Sequence, residues 1–259
     1  MTTVLALANQ KGGVGKTTTA INLGAALAGR GHPVLIVDLD PQANATASLG
    51  LRAVAGRSTY DLVLAGLPLD DVILPTVCER LSVAPSAPDL AGAEVELAGM
   101  MAREYRLKQA LQGAIERYRF VIIDCPPSLG LLTVNALTAA QEVIVPVQCE
   151  YLALEGLGQL TRTLDLVRRH LNQELRLRAL LLTMYDRRTS LSRQVAEEVR
   201  RHFPNTFRAV IPRTVRLSEA PSHGLPINAY DPRSPASAAY DALTDELLET
   251  VAAAAQVAP

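Results

Sequence analysis

The chain has 259 residues, and its charge is nearly balanced, with 25 basic against 26 acidic side chains. This balance excludes a uniformly basic surface of the kind that coats nucleic acid, but it leaves room for a local basic patch. Hydrophobic residues make up 49% of the chain and aromatic residues only 4%, so aliphatic side chains must fill the core. We therefore expect one large domain spanning residues 1–259.

Short apolar runs alternate with helical patterns along the chain. The strand candidates are 3–9, 33–38, 81–84, 119–124, 142–147, 177–184 and 208–211. The helix candidates are 16–29, 103–117, 129–140, 154–170, 191–202 and 236–254. Apolar runs without polar alternation are typical of strands buried on both faces. This order predicts an α/β fold with a doubly wound, mostly parallel sheet, followed by a frayed tail over about 252–259.

Three cysteines, Cys78, Cys125 and Cys149, are odd in number and widely spaced, which argues against a zinc site or a disulfide framework. Cys125 and Cys149 lie at the ends of apolar runs, where a small buried side chain is expected. No apolar run approaches the roughly 18 residues that indicate a membrane span, and no secretory signal pattern opens the chain. We expect a cytoplasmic protein.

Residues 10–18, with the sequence QKGGVGKTT, lie between the first strand candidate and the first helix candidate. This strand, loop and helix arrangement is what a phosphate-binding loop requires, because glycines allow backbone N–H groups to surround phosphate oxygens at a helix N-terminus. The predicted phosphate contacts are Gly12, Gly13, Val14, Gly15, Lys16, Thr17 and Thr18. Lys16 would contact the β- and γ-phosphates, and the Thr17 hydroxyl would bind Mg²⁺.

The loop departs from the usual G-x-x-x-x-G-K-[ST] pattern at position 10, where Gln10 replaces the first glycine. A second lysine, Lys11, follows it. Lys11 is either a solvated loop side chain or a group that acts on phosphate, in its own site or across a dimer interface. A dinucleotide-binding loop is less favoured, because the Lys16-Thr17 pair has no role in that fingerprint.

Three aspartates follow strand candidates. Asp38 and Asp40 come at the end of one apolar run, and Asp124 ends the run Val121–Ile123 in a Walker B pattern. Asp38 and Asp40 are either turn or capping acids, or carboxylates that position a water for in-line attack on phosphate. Asp124 is placed to reach Mg²⁺, which usually keeps several of its waters. All three should converge with the phosphate loop beyond the carboxyl ends of the strands.

A basic segment runs from Tyr185 to Arg216, where eight arginines outnumber three acidic residues and leave a net charge of +5. Such a local stripe suits contact with a phosphate backbone without base reading. The alternative is a solvated helix face with ion pairs such as Glu197–Arg201.

Five blocks together resemble one family. They are residues 10–18, 38–42 (DLDPQ), 124–128 (DCPPS), 146–150 (PVQCE) and 211–224 (IPRTVRLSEAPSHG). The chain resembles the chromosomal ParA (Soj) branch of the ParA/MinD superfamily, whose phosphate loop is a deviant Walker A motif. The likeness covers nearly the whole chain.

The resemblance implies an ATPase that uses ATP and Mg²⁺ and forms a homodimer in its ATP-bound state. It gives Lys11 a role across the dimer, and Asp40 the role of the acid needed for hydrolysis. It also implies that Thr17, Asp38 and Asp124 lie around the metal.

The resemblance further implies a nucleoid-associated protein that binds double-stranded DNA non-specifically through Arg188 and Arg216, with a ParB-like partner that stimulates hydrolysis. Met184 and Pro212 resemble adenine-contacting positions of the superfamily.

Other classes fit less well. A MinD-type membrane ATPase needs a basic amphipathic C-terminal helix, but residues 245–259 contain acids and no lysine or arginine. A nitrogenase-reductase-like electron carrier needs cluster-binding cysteines that this chain lacks. A small-molecule kinase would need a substrate acid or a lid motif, and none stands out.

Overall fold

The computed structural model describes residues 2–113, 115–150 and 156–257, with residues 252–257 described as helix backbone only. The described strands are β1 (Thr3–Leu7), β2 (Val34–Asp38), β3 (Leu74–Pro75), β4 (Leu81–Ala84), β5 (Phe120–Asp124), β6 (Glu142–Gln148), β7 (Arg176–Tyr185) and β8 (Thr206–Pro212). The described α-helices are α1 (Lys16–Gly29), α2 (Asn44–Ser48), α3 (Leu69–Val72), α4 (Ala93–Ala98), α5 (Arg106–Leu111), α6 (Leu131–Ala139), α7 (Leu157–His170), α8 (Ser190–His202), α9 (Arg216–Glu219), α10 (Ile227–Tyr230) and α11 (Pro235–Val257). A π-helical turn spans Asp61–Ala65, and 3₁₀ turns span Pro88–Gly92, Ile115–Arg117 and Ala220–His223.

The strands form one sheet in the order β3-β4-β2-β5-β1-β6-β7-β8. β3 pairs antiparallel with β4, and the other described pairs are parallel. Every residue of β2 and β5 is buried, as their unbroken apolar sequences predict. The predicted α/β fold with a mostly parallel sheet is confirmed.

Helices cover both faces of the sheet. One core lies under α6, α7 and α8 and includes Leu132, Ala136, Leu160, Leu164, Ala196 and Val199. The other lies under α1 and α11 and includes Leu23, Leu27, Tyr240, Leu243 and Leu247. The doubly wound arrangement therefore follows from helices on alternate faces burying separate apolar layers.

The element bounds differ from the predicted ones in a few places. The candidate helix 103–117 is shorter, since α5 ends at Leu111 and Gly113 adopts a left-handed φ of +82°. The predicted helix start at residue 154 lies outside the described residues, and α7 begins at Leu157. α11 continues to Val257, so fraying of the tail stays a prediction. Within the described ranges, no helix is both long and apolar enough to cross a membrane.

The register of the sheet brings the predicted site together. Asp38 at the end of β2 is the register partner of Asp124 at the end of β5. Leu7, the last residue of β1, also pairs with Asp124. The loop that follows β1 therefore begins beside two acid-bearing strand ends.

Candidate nucleotide site and adjoining arginines

The phosphate loop turns through two glycines in the left-handed region. Gly13 has a φ of +71° and Gly15 a φ of +91°, conformations that glycine adopts without a steric penalty. Thr183 of β7 holds the loop from outside, because its hydroxyl donates to the Val14 carbonyl at 2.8 Å. The loop that the sequence predicts is therefore fixed to a neighbouring strand.

Asn9 fixes the start of the same loop. Its side-chain amide donates to the Pro146 carbonyl of β6 at 2.8 Å, and its Oδ1 accepts from the Lys11 N–H at 3.0 Å. Sequence reasoning did not single out Asn9, although its position directly before the loop was visible. The backbone at Lys11 is thus held by a buried amide side chain.

Lys16, the first residue of α1, curls back over the loop. Its Nζ donates to the carbonyls of Asn9 at 3.0 Å and Lys11 at 3.2 Å. The side chain is buried, and burial lowers its pKa while the negative charge of Asp124 acts in the opposite direction. A cation held at the mouth of a helix N-terminus is suited to phosphate oxygens.

Asp38 is fully buried at the end of β2. Its Oδ2 accepts from the Thr46 N–H at 2.9 Å and from the Thr46 hydroxyl at 2.7 Å, and its Oδ1 accepts from the Asp40 N–H at 3.2 Å. Burial raises the pKa of Asp38 to about 6, against the effect of the bonds from Thr46. Both carboxylate oxygens are thus engaged by the chain itself.

Asp124 has a different environment. It is fully buried, and within the described part of the chain no hydrogen bond of ordinary geometry reaches either carboxylate oxygen. Burial, followed by the nearby charge of Asp38, raises its pKa well above the usual range, while the adjacent Thr17 side chain favours the charged form. A buried carboxylate beside a hydroxyl at a helix start offers the oxygen ligands that Mg²⁺ prefers. Thr17 and Asp124 therefore fit a magnesium site.

Asp40 lies beyond the strand and is 7% exposed. Its Oδ1 accepts from the Gln42 N–H at 3.0 Å, and its carbonyl accepts from the Ala43 N–H at 2.8 Å. These local bonds hold the tight turn that the Asp40-Pro41 sequence predicts.

A cavity of about 530 Å³ extends from the phosphate loop. Its lining residues are Gly15, Thr18, Thr183, Met184, Arg188, Ile211, Pro212, Arg213, Thr214, Val215, Leu217, Ser218 and Tyr240. This volume lies within the range of small-molecule sites. The two predicted adenine contacts, Met184 and Pro212, are brought to the same cavity as the loop.

Met184 is held in an unusual backbone conformation, with a φ of +53° at the end of β7. Non-glycine residues rarely adopt this region, and such strain is concentrated at ligand sites. Tyr240 of α11 is a lining residue that the sequence analysis missed, and its hydroxyl lies 3.5 Å from the Thr19 hydroxyl. It comes from an element more than 220 residues downstream, so local sequence patterns carried no signal for it.

Arg188 is the one proposed DNA contact that also lines the cavity. Its guanidinium group forms an ion pair with Asp186 at 2.9 Å. Arg216 begins α9 and forms ion pairs with Glu219 at 3.0 Å and Asp231 at 3.4 Å.

The free charge of the basic segment is smaller than its sequence suggests. Arg208 pairs with Glu246 and Glu249 of α11, and Arg201 pairs with Glu198 rather than with the predicted Glu197. Several of these acids lie outside residues 185–216, so a count within the segment could not include them. Within residues 185–216, four arginines form no ion pair with a described residue: Arg187, Arg193, Arg200 and Arg213.

Lys11 lies apart from this cavity. It lines a separate surface groove of about 560 Å³ together with Gln10, Pro127, Ser128, Leu129, Gly156 and Gln159. The loop therefore presents its two lysines in different directions, Lys16 inward and Lys11 toward an open surface.

The chain is similar to known proteins over nearly its whole length. A family model described as an AAA domain matches residues 2–177. The protein Soj of Bacillus subtilis, a sporulation initiation inhibitor, is 54% identical over 246 residues, covering 94% of this chain and 97% of the relative. The chromosome-partitioning ATPase Soj of Thermus thermophilus is 52% identical over 248 residues, covering 95% and 96%.

The chain belongs to the ParA/Soj family of chromosome-partitioning ATPases. The resemblance seen in its sequence is thereby confirmed. Among solved structures, a Mycobacterium smegmatis protein named cobyrinic acid a,c-diamide synthase, with bound ADP and magnesium, is 42% identical with a TM-score of 0.84. That match covers 96% of this chain and 94% of the other. The cell division ATPase MinD of Pyrococcus furiosus is 26% identical with a TM-score of 0.79, covering 96% and 100%.

Proposed function

We propose that this partition ATPase is a nucleotide-controlled DNA-binding protein. With ATP and Mg²⁺ bound, two copies associate and bind double-stranded DNA without sequence preference, and hydrolysis separates them. The observation that carries the proposal is the shared cavity, in which the phosphate loop and Arg188 line the same space. Because Arg188 lies in the wall of the nucleotide cavity, a change of bound nucleotide can directly alter the surface of the protein that binds DNA.

The cofactors are ATP and Mg²⁺, and the residues present fit both. Gly12–Thr18 surround the phosphates, Lys16 contacts the β- and γ-phosphates, and Met184 and Pro212 contact the adenine. Thr17 and Asp124 hold Mg²⁺, which when bound neutralises charge on the phosphate oxygens.

Asp40 is the residue we assign to hydrolysis. Its carboxylate is positioned by the turn after β2, at the sheet edge where the loop and Asp124 also lie. It orients the water that attacks the γ-phosphate in line. Because this hydrolysis is slow, its rate sets how long the two copies stay associated.

Lys11 acts between the two copies. It lines an open groove that does not include Lys16, and its backbone is fixed by Asn9. From this position it contacts the phosphates of the partner subunit's nucleotide, so that association depends on ATP.

Arg188 and Arg216 contact DNA phosphates in the dimer, which presents each of them twice. Contacts to phosphate alone carry no sequence information, in keeping with a protein that associates with the nucleoid as a whole. A ParB-like partner stimulates hydrolysis and ends the bound state.

A MinD-type membrane role is the second candidate, because MinD shares the fold. The polar side chains of α11 argue against it. Asp241 and Asp245 pair with Arg30, the residue that follows α1, and Glu246 and Glu249 pair with Arg208 of β8. An acidic helix that is paired with arginines of its own protein lacks the basic face that binds an anionic membrane surface.

The proposal is tested by sedimentation velocity and ATP turnover of the wild type and of Asp40→Ala. Asp40→Ala should bind ATP, hydrolyse it ~10²–10⁴-fold more slowly and sediment as a dimer with Mg-ATP but as a monomer with Mg-ADP. Asp165→Ala, which removes an exposed acid of α7, is the matched control and should behave as wild type. The proposal would be contradicted if Asp40→Ala hydrolysed ATP at the wild-type rate, or if it sedimented as a monomer in saturating Mg-ATP.

A further inference from the structure

Thr46 supplies two of the three hydrogen bonds that described residues donate to the Asp38 carboxylate. Its N–H and its hydroxyl both donate to Oδ2, at 2.9 and 2.7 Å, from a position eight residues along the chain. Thr46 lies on the short helix α2 and is 1% exposed. A hydroxyl bonded to a carboxylate in a buried site is a strong, geometrically specific contact.

The hydrogen bonds between Thr46 and Asp38 fix the loop that carries Asp40. Oδ1 of Asp38 accepts from the Asp40 N–H, so the two oxygens of one carboxylate hold both ends of the segment 40–46. Between these ends Ala43 adopts a φ of +53°, a costly conformation for a residue with a Cβ. Such a conformation persists only where surrounding contacts determine it.

The same hydroxyl also ties the loop to the body of the protein. Thr46 Oγ1 accepts from the Ser86 N–H at 3.0 Å, just beyond the end of β4. The Thr59 hydroxyl donates to the Asp38 carbonyl at 2.8 Å. The Asp38–Thr46 contact is thus joined on both sides to segments that do not belong to the loop.

We propose that Thr46 is a positioning residue for ATP hydrolysis. It holds the Asp38 carboxylate, and through it the backbone of Asp40, in the place from which Asp40 orients water. Asp38 is then a clamp for the loop rather than a ligand of the metal, and Thr17 and Asp124 form the magnesium site. The inference rests on the hydrolytic role of Asp40 proposed above.

The test compares three hydroxyl variants in steady-state ATP hydrolysis. Thr46→Val keeps the shape of the side chain and removes the hydroxyl, and it should lower kcat roughly 10- to 100-fold, as expected for a misplaced catalytic group. The KM for ATP and the Mg²⁺ concentration for half-activation should stay within about twofold, since neither site loses a contact. Thr46→Ser should restore most of kcat. Thr138→Val, which removes another buried hydroxyl on α6, should leave kcat unchanged.

A double variant separates positioning from general damage. If Thr46 acts through Asp40, Thr46→Val should slow the wild type but add nothing to Asp40→Ala, because both changes remove the same function. The proposal would be overturned if kcat of the double variant fell by the product of the two single losses. It would also be overturned if Thr46→Val kept the wild-type kcat or needed a different Mg²⁺ concentration for half-activation. If Thr46→Val fails to fold, Thr46→Cys, with its weaker donor, carries the test and should give a kcat between those of wild type and Asp40→Ala. Normal turnover in Asp40→Ala itself would instead refute the role of Asp40.

Discussion

The guanidinium group of Arg188 donates two hydrogen bonds to the carboxylate of Asp186, from Nε at 3.0 Å and from a terminal nitrogen at 2.9 Å. The Arg188 backbone N–H donates to the same carboxylate at 3.0 Å. The Arg188 side chain is 89% exposed, yet its charge is neutralised by an acid two residues away. The proposed DNA contact is therefore paired within the chain when DNA is absent.

Removing the charge of Asp186 should strengthen DNA binding. Asp186→Asn frees Arg188 and removes a negative charge from the proposed DNA-binding surface, so the ATP-bound dimer should bind DNA roughly two- to tenfold more tightly at low salt. Fluorescence anisotropy with labelled duplex DNA measures the change. Asp165→Asn, which breaks a similar exposed pair with Arg168 on α7, is the control. Unchanged or weaker binding in Asp186→Asn would contradict this role of the pair.

The gain in DNA affinity caused by Asp186→Asn should not depend on pH between pH 6 and pH 8. Hydrogen bonds from Arg188 lower the pKa of Asp186 to about 2. Because the folded-state pKa lies below the ordinary value near 4, the pair is fully formed above pH 4 and is lost only as pH falls through about 2. The ratio of affinities between Asp186→Asn and wild type should therefore be the same at pH 6 and pH 8.

Loss of either arginine proposed to contact DNA should alter the salt dependence of binding. Each phosphate contact contributes about 0.9 to the slope of log K against log salt, and a dimer presents each contact twice. Arg188→Ala or Arg216→Ala should therefore flatten the slope by roughly 2 for any duplex sequence. Arg168→Ala, which removes an exposed arginine of α7 outside the basic segment, provides the control. A variant that keeps the wild-type slope would remove that arginine from the interface.

The two lysines of the phosphate loop should separate binding from association. Lys11→Ala should retain ATP binding, because Lys16 and the loop N–H groups remain, but it should stay monomeric in sedimentation with a non-hydrolysable ATP analogue. Lys108→Ala, an exposed lysine of α5, should dimerise normally. A normal Lys11→Ala dimer would return Lys11 to the status of a solvated loop side chain.

The three cysteines should react in a set order. Burial raises the pKa of Cys149 to about 11 and that of Cys125 further, whereas Cys78 is only half-buried. The thiolate is the reactive form, so at pH 8 native protein should be alkylated first at Cys78 and at the other two only after unfolding. Mass spectrometry of the labelled peptides checks the order. Native labelling of Cys149 as fast as Cys78 would contradict its placement.

The sheet and the phosphate loop could be predicted because their signals are local. Unbroken apolar runs mark strands buried on both faces, and glycines followed by Lys16-Thr17 specify the loop whatever the rest of the chain does. The convergence of Asp38 and Asp124 followed from the parallel sheet alone.

Side-chain contacts that do not follow from the strand register could not be predicted. The acids that pair with Arg208 come from α11, and Tyr240 reaches the cavity from the same helix. Thr46 belongs to a five-residue helix too short to give a periodic pattern, so its bond to Asp38 had no sequence signal. Such side chains become visible only when the packing of the whole fold is known.

One binding measurement tests the central claim that nucleotide state controls DNA binding. Anisotropy titrations of the wild type would use two labelled duplexes of equal length and unrelated sequence, with Mg²⁺ and either a non-hydrolysable ATP analogue or ADP, at several salt concentrations. We predict tight, salt-dependent binding of both duplexes with the ATP analogue and binding weaker by orders of magnitude with ADP, because only the dimer doubles the phosphate contacts. Equal binding in the two nucleotide states, or strong preference for one duplex, would contradict the account.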